Sequence, residues 1–246
     1  MRSAALGWMV LLLVGTSHSQ RFVEGEVYHD IVGHYSDTTV NLIDYAYYED
    51  PVSAVQRAVN AKITHRLESW WKVDSAPPVL SHSYFEQLIS NFEADFNENG
   101  GEDYIMAWEL EIGIQIEEFE NTIQLTMTEW AYAGGAHGNS SYKAWVFDKI
   151  TGKELSVSDF FKDAKEVNAI FEKVFREQAE IDADLSLEEA GYWFEDNVFA
   201  LNSNFYFSGI SMHVYFNTYE ITDYATGPTE LEVPLDILRP LMIREF

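Results

Sequence analysis

MAWELEIGIQIEEFENTIQLTM, residues 106–127, decides the class of fold. Met106, Trp108, Leu110, Ile112, Ile114 and Ile116 take every second position over eleven residues, the period of a strand with one buried face. Ile123, Leu125 and Met127 repeat the alternation, and Glu117–Asn121 reads as the turn between two long antiparallel strands. Working outward, Val40–Tyr48 alternates in the same way and Tyr142–Phe147 gives a third strand after the long pair. That strand closes in the turn Asp148–Lys153. Strands return at Ile210–Phe216 and Leu231–Val233.

Between and around the strands the period changes to that of a helix. Asp50 and Pro51 are placed to open one, with Asp50 as N-cap. Val52, Val55, Val59, Ile63, Leu67, Trp70 and Trp71 then form its apolar stripe. Ala76-Pro77-Pro78 breaks the chain. A second helix is expected over about Ser81–Phe96, with Phe85, Leu88, Ile89, Phe92 and Phe96 inward. Further helices are expected near Asp163–Ala179 and Leu187–Phe194, and a short one over Leu235–Met242. Helices and strands segregate rather than alternate as βαβ units. The expected class is α+β: antiparallel sheets, helices on one face, and two small, intimately packed subdomains. The Gly134–Gly138 loop is the natural dividing line, giving 20–132 and 133–246 as the two parts.

Residues 1–19 read as a secretory leader. Arg2 supplies the positive start, Ala4–Gly15 the apolar run, and Thr16–Ser19 the small residues before cleavage. Twelve apolar residues are too few to span a bilayer, where roughly 20 are needed. No other segment is long enough, so the reading is export, to the periplasm or outside, with no membrane span after cleavage. The chain has no cysteine. It therefore has no disulfide framework, no lipoprotein anchor and no thiolate metal site.

Charge narrows the partners. There are 15 Lys and Arg against 41 Asp and Glu, a formal net charge of −26 over 246 residues. Removing the leader takes away Arg2 alone and leaves −27. A chain so acidic lacks the basic footprint that nucleic acid requires, and an anionic membrane would repel it. With 47% apolar and 15% aromatic residues it is no disordered acidic tail. Its charge fits a neutral or cationic partner, or serves solubility alone.

The chemistry on offer is that of binding rather than catalysis. The histidines 18, 29, 34, 65, 82, 137 and 213 form neither HExxH nor HxH, and there is no GxSxG elbow, P-loop or GxGxxG. Thr151-Gly152-Lys153 lacks the upstream glycine of a P-loop and reads as a turn. No pattern selects two of the many carboxylates as a glycosidase pair. Asp95, Asn97, Asn99 and Gly100 match the first loop positions of an EF-hand, but Met106 stands where the bidentate glutamate belongs. Neither metal nor cofactor is expected. Tyr132-Ala133-Gly134-Gly135-Ala136-His137-Gly138 is more informative, because its glycines reach backbone conformations closed to other residues and put His137 on a tight loop. A second loop, Asn217–Pro228, carries Tyr219 and Tyr224, rigid amphipathic side chains of the kind interfaces use. The candidate binding residues are thus Tyr132, Gly134, Gly135, His137, Tyr219 and Tyr224.

A series of ordered motifs resembles a known family. YAGGAH (132–137), FDKITGKEL (147–155) and DFF (159–161) are followed by GISMHVYF (209–216), YEITDYATG (219–227) and LEVPL (231–235). This series looks like the C-terminal domain of RsiV-type sensors. Residues 27–130 resemble the partner domain that precedes it there and that accompanies the catalytic domain of PdaC-type peptidoglycan deacetylases. The resemblance implies an exported, non-catalytic α+β module whose ligand, in the RsiV type, is lysozyme. It implies a cationic lysozyme-type protein as partner, with a cell-wall glycan as the alternative; oligomeric state is open. Where the family pattern often has Pro, this chain has Asp223. A deacetylase domain, a transmembrane helix and a cytoplasmic anti-sigma segment are not among the motifs found.

Overall fold

The computed structural model describes residues 22–32, 38–69, 79–99, 101 and 106–246. The leader, Trp70, Trp71 and Gly100 lie outside them. Six strands form one sheet in sequential order: β1 (Phe22–Val32), β2 (Thr38–Tyr48), β3 (Glu109–Glu118), β4 (Thr122–Tyr132), β5 (Asn139–Asp148) and β6 (Glu154–Leu155). A second sheet holds β7 (Phe205–Phe207), β8 (Ser211–Phe216) and β9 (Thr229–Pro234) in that order. The fold is α+β.

One expectation needs correction. β2 and β3 run parallel, with Ile43 opposite Ile112, while the other neighbouring pairs are antiparallel. The cause is the helix pair between them: α1 (Ala54–Glu68) and α2 (His82–Glu98) return the chain to the end where β2 began. β1 and β7 also went unread.

Both helices lie on one face of the large sheet. In α1, Val55, Val59, Ile63 and Leu67 recur every fourth residue and are fully buried. Its cap is Ser53, not Asp50. Ser53 Oγ accepts from the Gln56 amide at 3.2 Å, and Gln56 Oε1 accepts from the Ser53 amide at 3.0 Å, a reciprocal capping box. Asp50 instead adopts φ 50° in the turn before the helix, and Val52, assigned to the buried stripe, is 79% exposed. In α2, Ser81 caps, and Phe85, Leu88, Ile89, Phe92 and Phe96 point at the sheet as expected. Phe85 stacks on Tyr45 with centroids 4.3 Å apart. One charged pair is enclosed here: Glu129 on β4 is buried and receives Arg66 of α1, with Nε to Oε1 at 2.7 Å.

The second core lies on the opposite face of β4 and β5. Val146 enters it while its neighbour Phe147 enters the first. The division between 132 and 133 therefore falls in the β4–β5 hairpin, with the six-stranded sheet running across it. α3 (Val157–Phe160) leads to α4 (Ala164–Gln178), capped by Asp163 and burying Val167, Phe171 and Phe175. The helix expected over Leu187–Phe194 is a series of turns. Gly191 adopts φ 89°, and Phe194 is drawn between Phe175 and Phe199, at 5.6 and 5.1 Å. After β9 come the short α5 (Leu235–Leu238) and a 3₁₀ turn, Arg239–Leu241.

The C-terminus is fastened back onto the large sheet. Phe246 stacks on Phe207 at 4.5 Å and meets Phe119 edge-on at 5.0 Å. Arg244 binds the Asp148 carboxylate, which also accepts from the Thr151 amide at 2.6 Å. The Arg244 hydrogen bond, then the Thr151 amide, hold the Asp148 carboxyl well below the usual carboxylate range. Lys153 and the Ser156 amide likewise hold Asp159 down to about 2. A depressed folded pKa stabilises above the unfolded value of about 4 and loses that stabilisation as pH falls. Thermal melts should therefore decline from pH 5 to pH 3. Asp148→Asn should cost about 1–2 kcal/mol at pH 7 and flatten the decline. An unchanged pH profile in that variant would remove Asp148 from the account.

Candidate functional site

The two loops singled out in the sequence meet at one end of the molecule. Gly134 and Gly135 have φ of 85° and 102°, the left-handed region that favours glycine, so the β4–β5 connection turns sharply. The Tyr132 hydroxyl crosses this turn and donates to the Gly135 carbonyl at 3.1 Å. Gly138, just past the turn, lies against the six-membered ring of Trp130. A Cβ there would fall 2.5 Å from Trp130 Cζ2.

His137 is exposed, and its ring stacks on Tyr224 from the β8–β9 loop, with centroids 3.9 Å apart and planes at 23°. Its Nδ1 lies 2.9 Å from the Gly138 carbonyl. A carbonyl only accepts, so Nδ1 carries the hydrogen and Nε2 faces away from this bond. The Tyr224 hydroxyl donates to the same carbonyl at 3.3 Å, which ties the two loops through one acceptor. Tyr219 lies 5.6 Å from Tyr224, is 51% exposed, and has φ 66°, strained for a residue with a side chain.

Asp223 replaces by hydrogen bonding the rigidity that a proline would give. Its carboxylate accepts from the Thr226 amide at 2.9 Å and the Thr226 hydroxyl at 2.8 Å, closing a local turn. These bonds, the amide first, keep its pKa below the ordinary carboxylate value. The structure thus places His137, Tyr219 and Tyr224 in one aromatic tip. Gly134 and Gly135 shape the turn beneath it, and Tyr132 braces that turn. Among the described residues no ring contact joins Tyr132 to the tip.

Two adjoining grooves lie near the tip, the first of them lined by Tyr219. One, of about 420 Å³, is lined by Ser140, Ser141, Lys143 and Asn217–Glu220. The other, of about 290 Å³, shares Ser140 and Ser141 with it and continues along the sheet past Trp130, Tyr142 and Tyr215 to Asp44 and Glu111. The sequence reading missed both, because they form between residues of separate strands.

It also missed a hydrogen-bonded chain on the outer face of the small sheet. Ser208 Oγ lies 3.0 Å from His213 Nε2, and His213 Nδ1 lies 3.1 Å from Glu230 Oε1. Tyr206 stacks on the imidazole at 4.5 Å, and its hydroxyl also donates to Glu230. The order of groups is that of an acyl-transfer triad. Neither groove, however, is lined by Ser208 or His213. The cross-strand pairing of Tyr206 with His213 explains the arrangement as sheet packing.

Comparison with known proteins finds a family match within the second half. Residues 158–236 match the family model described as "Protein of unknown function (DUF3298)", a span that contains Tyr219 and Tyr224 but not His137. The chain is 22% identical over 180 residues to the peptidoglycan-N-acetylmuramic acid deacetylase PdaC of Bacillus subtilis. That match covers 71% of this chain and 37% of PdaC, so the chain spans little more than a third of that relative. Two solved structures share the fold over 91% of this chain and 94% of their own length. They are DUF3298 family proteins from Bacteroides fragilis (TM-score 0.65, 18% identity) and Pseudomonas aeruginosa (TM-score 0.60, 15% identity).

Proposed function

We propose that the chain is an exported, non-catalytic binding protein that engages a cationic lysozyme-type glycan hydrolase and occludes its cleft. The observation that carries this reading is the aromatic tip. His137 and Tyr224 are stacked and anchored to one carbonyl, and Tyr219 stands exposed beside them. Such a tip is ordered before binding, so little side-chain entropy is lost when it enters a cleft. The net charge of −26 would draw a basic partner and speed encounter. Similarity to a deacetylase that by name acts on peptidoglycan supports a place in the cell envelope.

The test is calorimetry of residues 20–246 with a c-type lysozyme, at physiological and at several-fold higher salt. Sub-micromolar binding that survives the added salt is expected. Charge attraction alone would vanish as screening shortens to a few ångströms. Tyr219→Ala with Tyr224→Ala should weaken binding about 100-fold, as two central aromatic anchors do at about 1.4 kcal/mol each or more. Tyr224→Phe, which keeps the ring, should lose far less. A double variant that folds and binds within twofold of the parent would refute the tip. No binding by the parent, together with sedimentation on purified cell-wall sacculi, would instead assign the tip to glycan.

A further inference from the structure

The large sheet has a second face, and its side chains can be read from the strand registers. One row across it runs Glu26, Asp44, Gly113, Thr128, Tyr142. The next runs Tyr28, Leu42, Glu111, Trp130, Ser140. The helices cover the opposite face, and the small sheet covers only the far end of β4 and β5. Among the described residues nothing covers the β1–β3 side: Glu24, Glu26, Asp30, Asp44 and Glu111 are exposed, as are Tyr28 and Val40, each 53% exposed.

Three features set this face apart from an ordinary solvated surface. First, β1 to β4 contain no Lys or Arg, and Lys143 of β5 is registered with Met127, on the helix side. Second, four cations of the chain are paired with carboxylates elsewhere: Lys62 with Glu154, Arg66 with Glu129, Lys149 with Glu118, Arg244 with Asp148. Third, Glu26 and Asp44 face each other directly across β1 and β2. Like charges so placed destabilise a sheet, and a cation laid over them would relieve the repulsion. The face also forms part of the groove past Glu111 and Trp130, which shares Ser140 and Ser141 with the groove that reaches Tyr219.

The occupant that fits is cationic rather than a neutral sugar. Sugar stacking needs a free ring face. Tyr142 already has Tyr215 and Tyr206 against it, at 4.8 and 5.5 Å, and Trp130 is committed to Gly138 and to the Glu109 carboxylate, 3.1 Å from its Nε1. What remains open is a set of carboxylates around Tyr28 and Val40: the apolar surface suits the stems of lysine and arginine, and the carboxylates together with the Tyr28 ring suit their charged heads.

We propose that this open acidic face, from Glu26 and Asp44 to Glu111, docks the basic surface of the same protein whose cleft receives the aromatic tip. The inference rests on the function proposed above and adds a second contact to it. Glu26→Gln/Asp44→Asn/Glu111→Gln tests it against a control, Glu68→Gln/Asp95→Asn/Glu98→Gln, which removes the same charge from the helices on the other side. Stopped-flow and calorimetry with a c-type lysozyme should show about a tenfold weaker complex for the face variant. Most of the loss should lie in association, with a flatter salt dependence, and the control should stay within twofold. The free face variant should melt at or above the parent, since an opposed like-charge pair is gone. Equal losses in both variants would mean net charge alone acts, and unchanged binding in the face variant would also overturn the proposal. In both cases the tip reading survives. A parent that binds no lysozyme would sink that reading and this one with it.

Discussion

Arg66→Met is expected to lower the unfolding free energy by about 3–5 kcal/mol, because it leaves a buried carboxylate without its cation. For a chain of this size that is roughly 10 °C in melting temperature. The two partners are unequal. The Glu129 side chain is 3% exposed, whereas Arg66 is 23% exposed and reaches water. Losing the cation therefore strands a charge, while losing the anion leaves a guanidinium that water can still solvate. Glu129→Gln alone should cost clearly less than Arg66→Met. Added to Arg66→Met, it should recover much of the loss by removing the stranded charge. Ser141, whose hydroxyl accepts from Arg66 Nη2 at 3.3 Å, gives the amide a remaining neighbour. Urea unfolding of the three variants decides it. An Arg66→Met loss below about 1 kcal/mol would show that Glu129 finds water or takes up a proton on its own.

That pair also marks the limit of reading the sequence. The alternation from Trp108 to Met127 gave the central hairpin, although Met106 before it is 49% exposed, and helical spacing gave α1 and α2 with most of their buried residues, because one buried face imposes its period on a local stretch. Glu129 continues the inward side of β4, where the pattern calls for an apolar residue. Only a partner 63 positions away accounts for it. The parallel β2–β3 pair was hidden for the same reason: strand direction follows where α1 and α2 return the chain. Capping failed more narrowly. Asp50-Pro51 was read as the start, and the reciprocal bonds between Ser53 and Gln56 place the cap three residues later.

The loops behaved differently. Gly134, Gly135 and His137 stood out as a tight turn, and Tyr219 and Tyr224 as loop aromatics, and the fold brings the latter pair to His137. Nothing local foretold the 3.9 Å stack of His137 on Tyr224, since the two lie 87 positions apart. The open acidic face was less visible still. Glu26, Asp44 and Glu111 look in sequence like any solvated carboxylates. Only the registers put them on one surface, and only the ion pairs elsewhere show that no cation of those pairs serves them.

Gln124→Leu and Asn204→Leu are expected to loosen the small sheet from the large one at about 2–4 kcal/mol each. The two sheets share no strand ladder, so two buried side-chain amides stand in for one. Gln124 Oε1 accepts from the Phe207 amide at 2.8 Å, and its Nε2 donates to the Phe207 carbonyl at 3.3 Å. Asn204 does the same for β5, with Oδ1 accepting from the Ala144 amide at 2.8 Å and Nδ2 donating to the Tyr142 carbonyl at 2.8 Å. Leucine fills comparable space but offers neither donor nor acceptor. Gln124→Leu strands the Phe207 amide and carbonyl, and Asn204→Leu strands the Ala144 amide while Asn217 still serves the Tyr142 carbonyl at 3.1 Å; the cost is that of burying unsatisfied groups. The loss should also be local. Amide exchange should accelerate in β7–β9 and α4 before β1–β3, whose ladder and helices are untouched. The tip joins loops of both sheets through His137 and Tyr224, so the lysozyme affinity proposed above should fall in these variants although neither Gln124 nor Asn204 lies at the tip. Uniform loss of protection across both sheets would show instead that the two cores unfold as one unit and that the amides merely fill space.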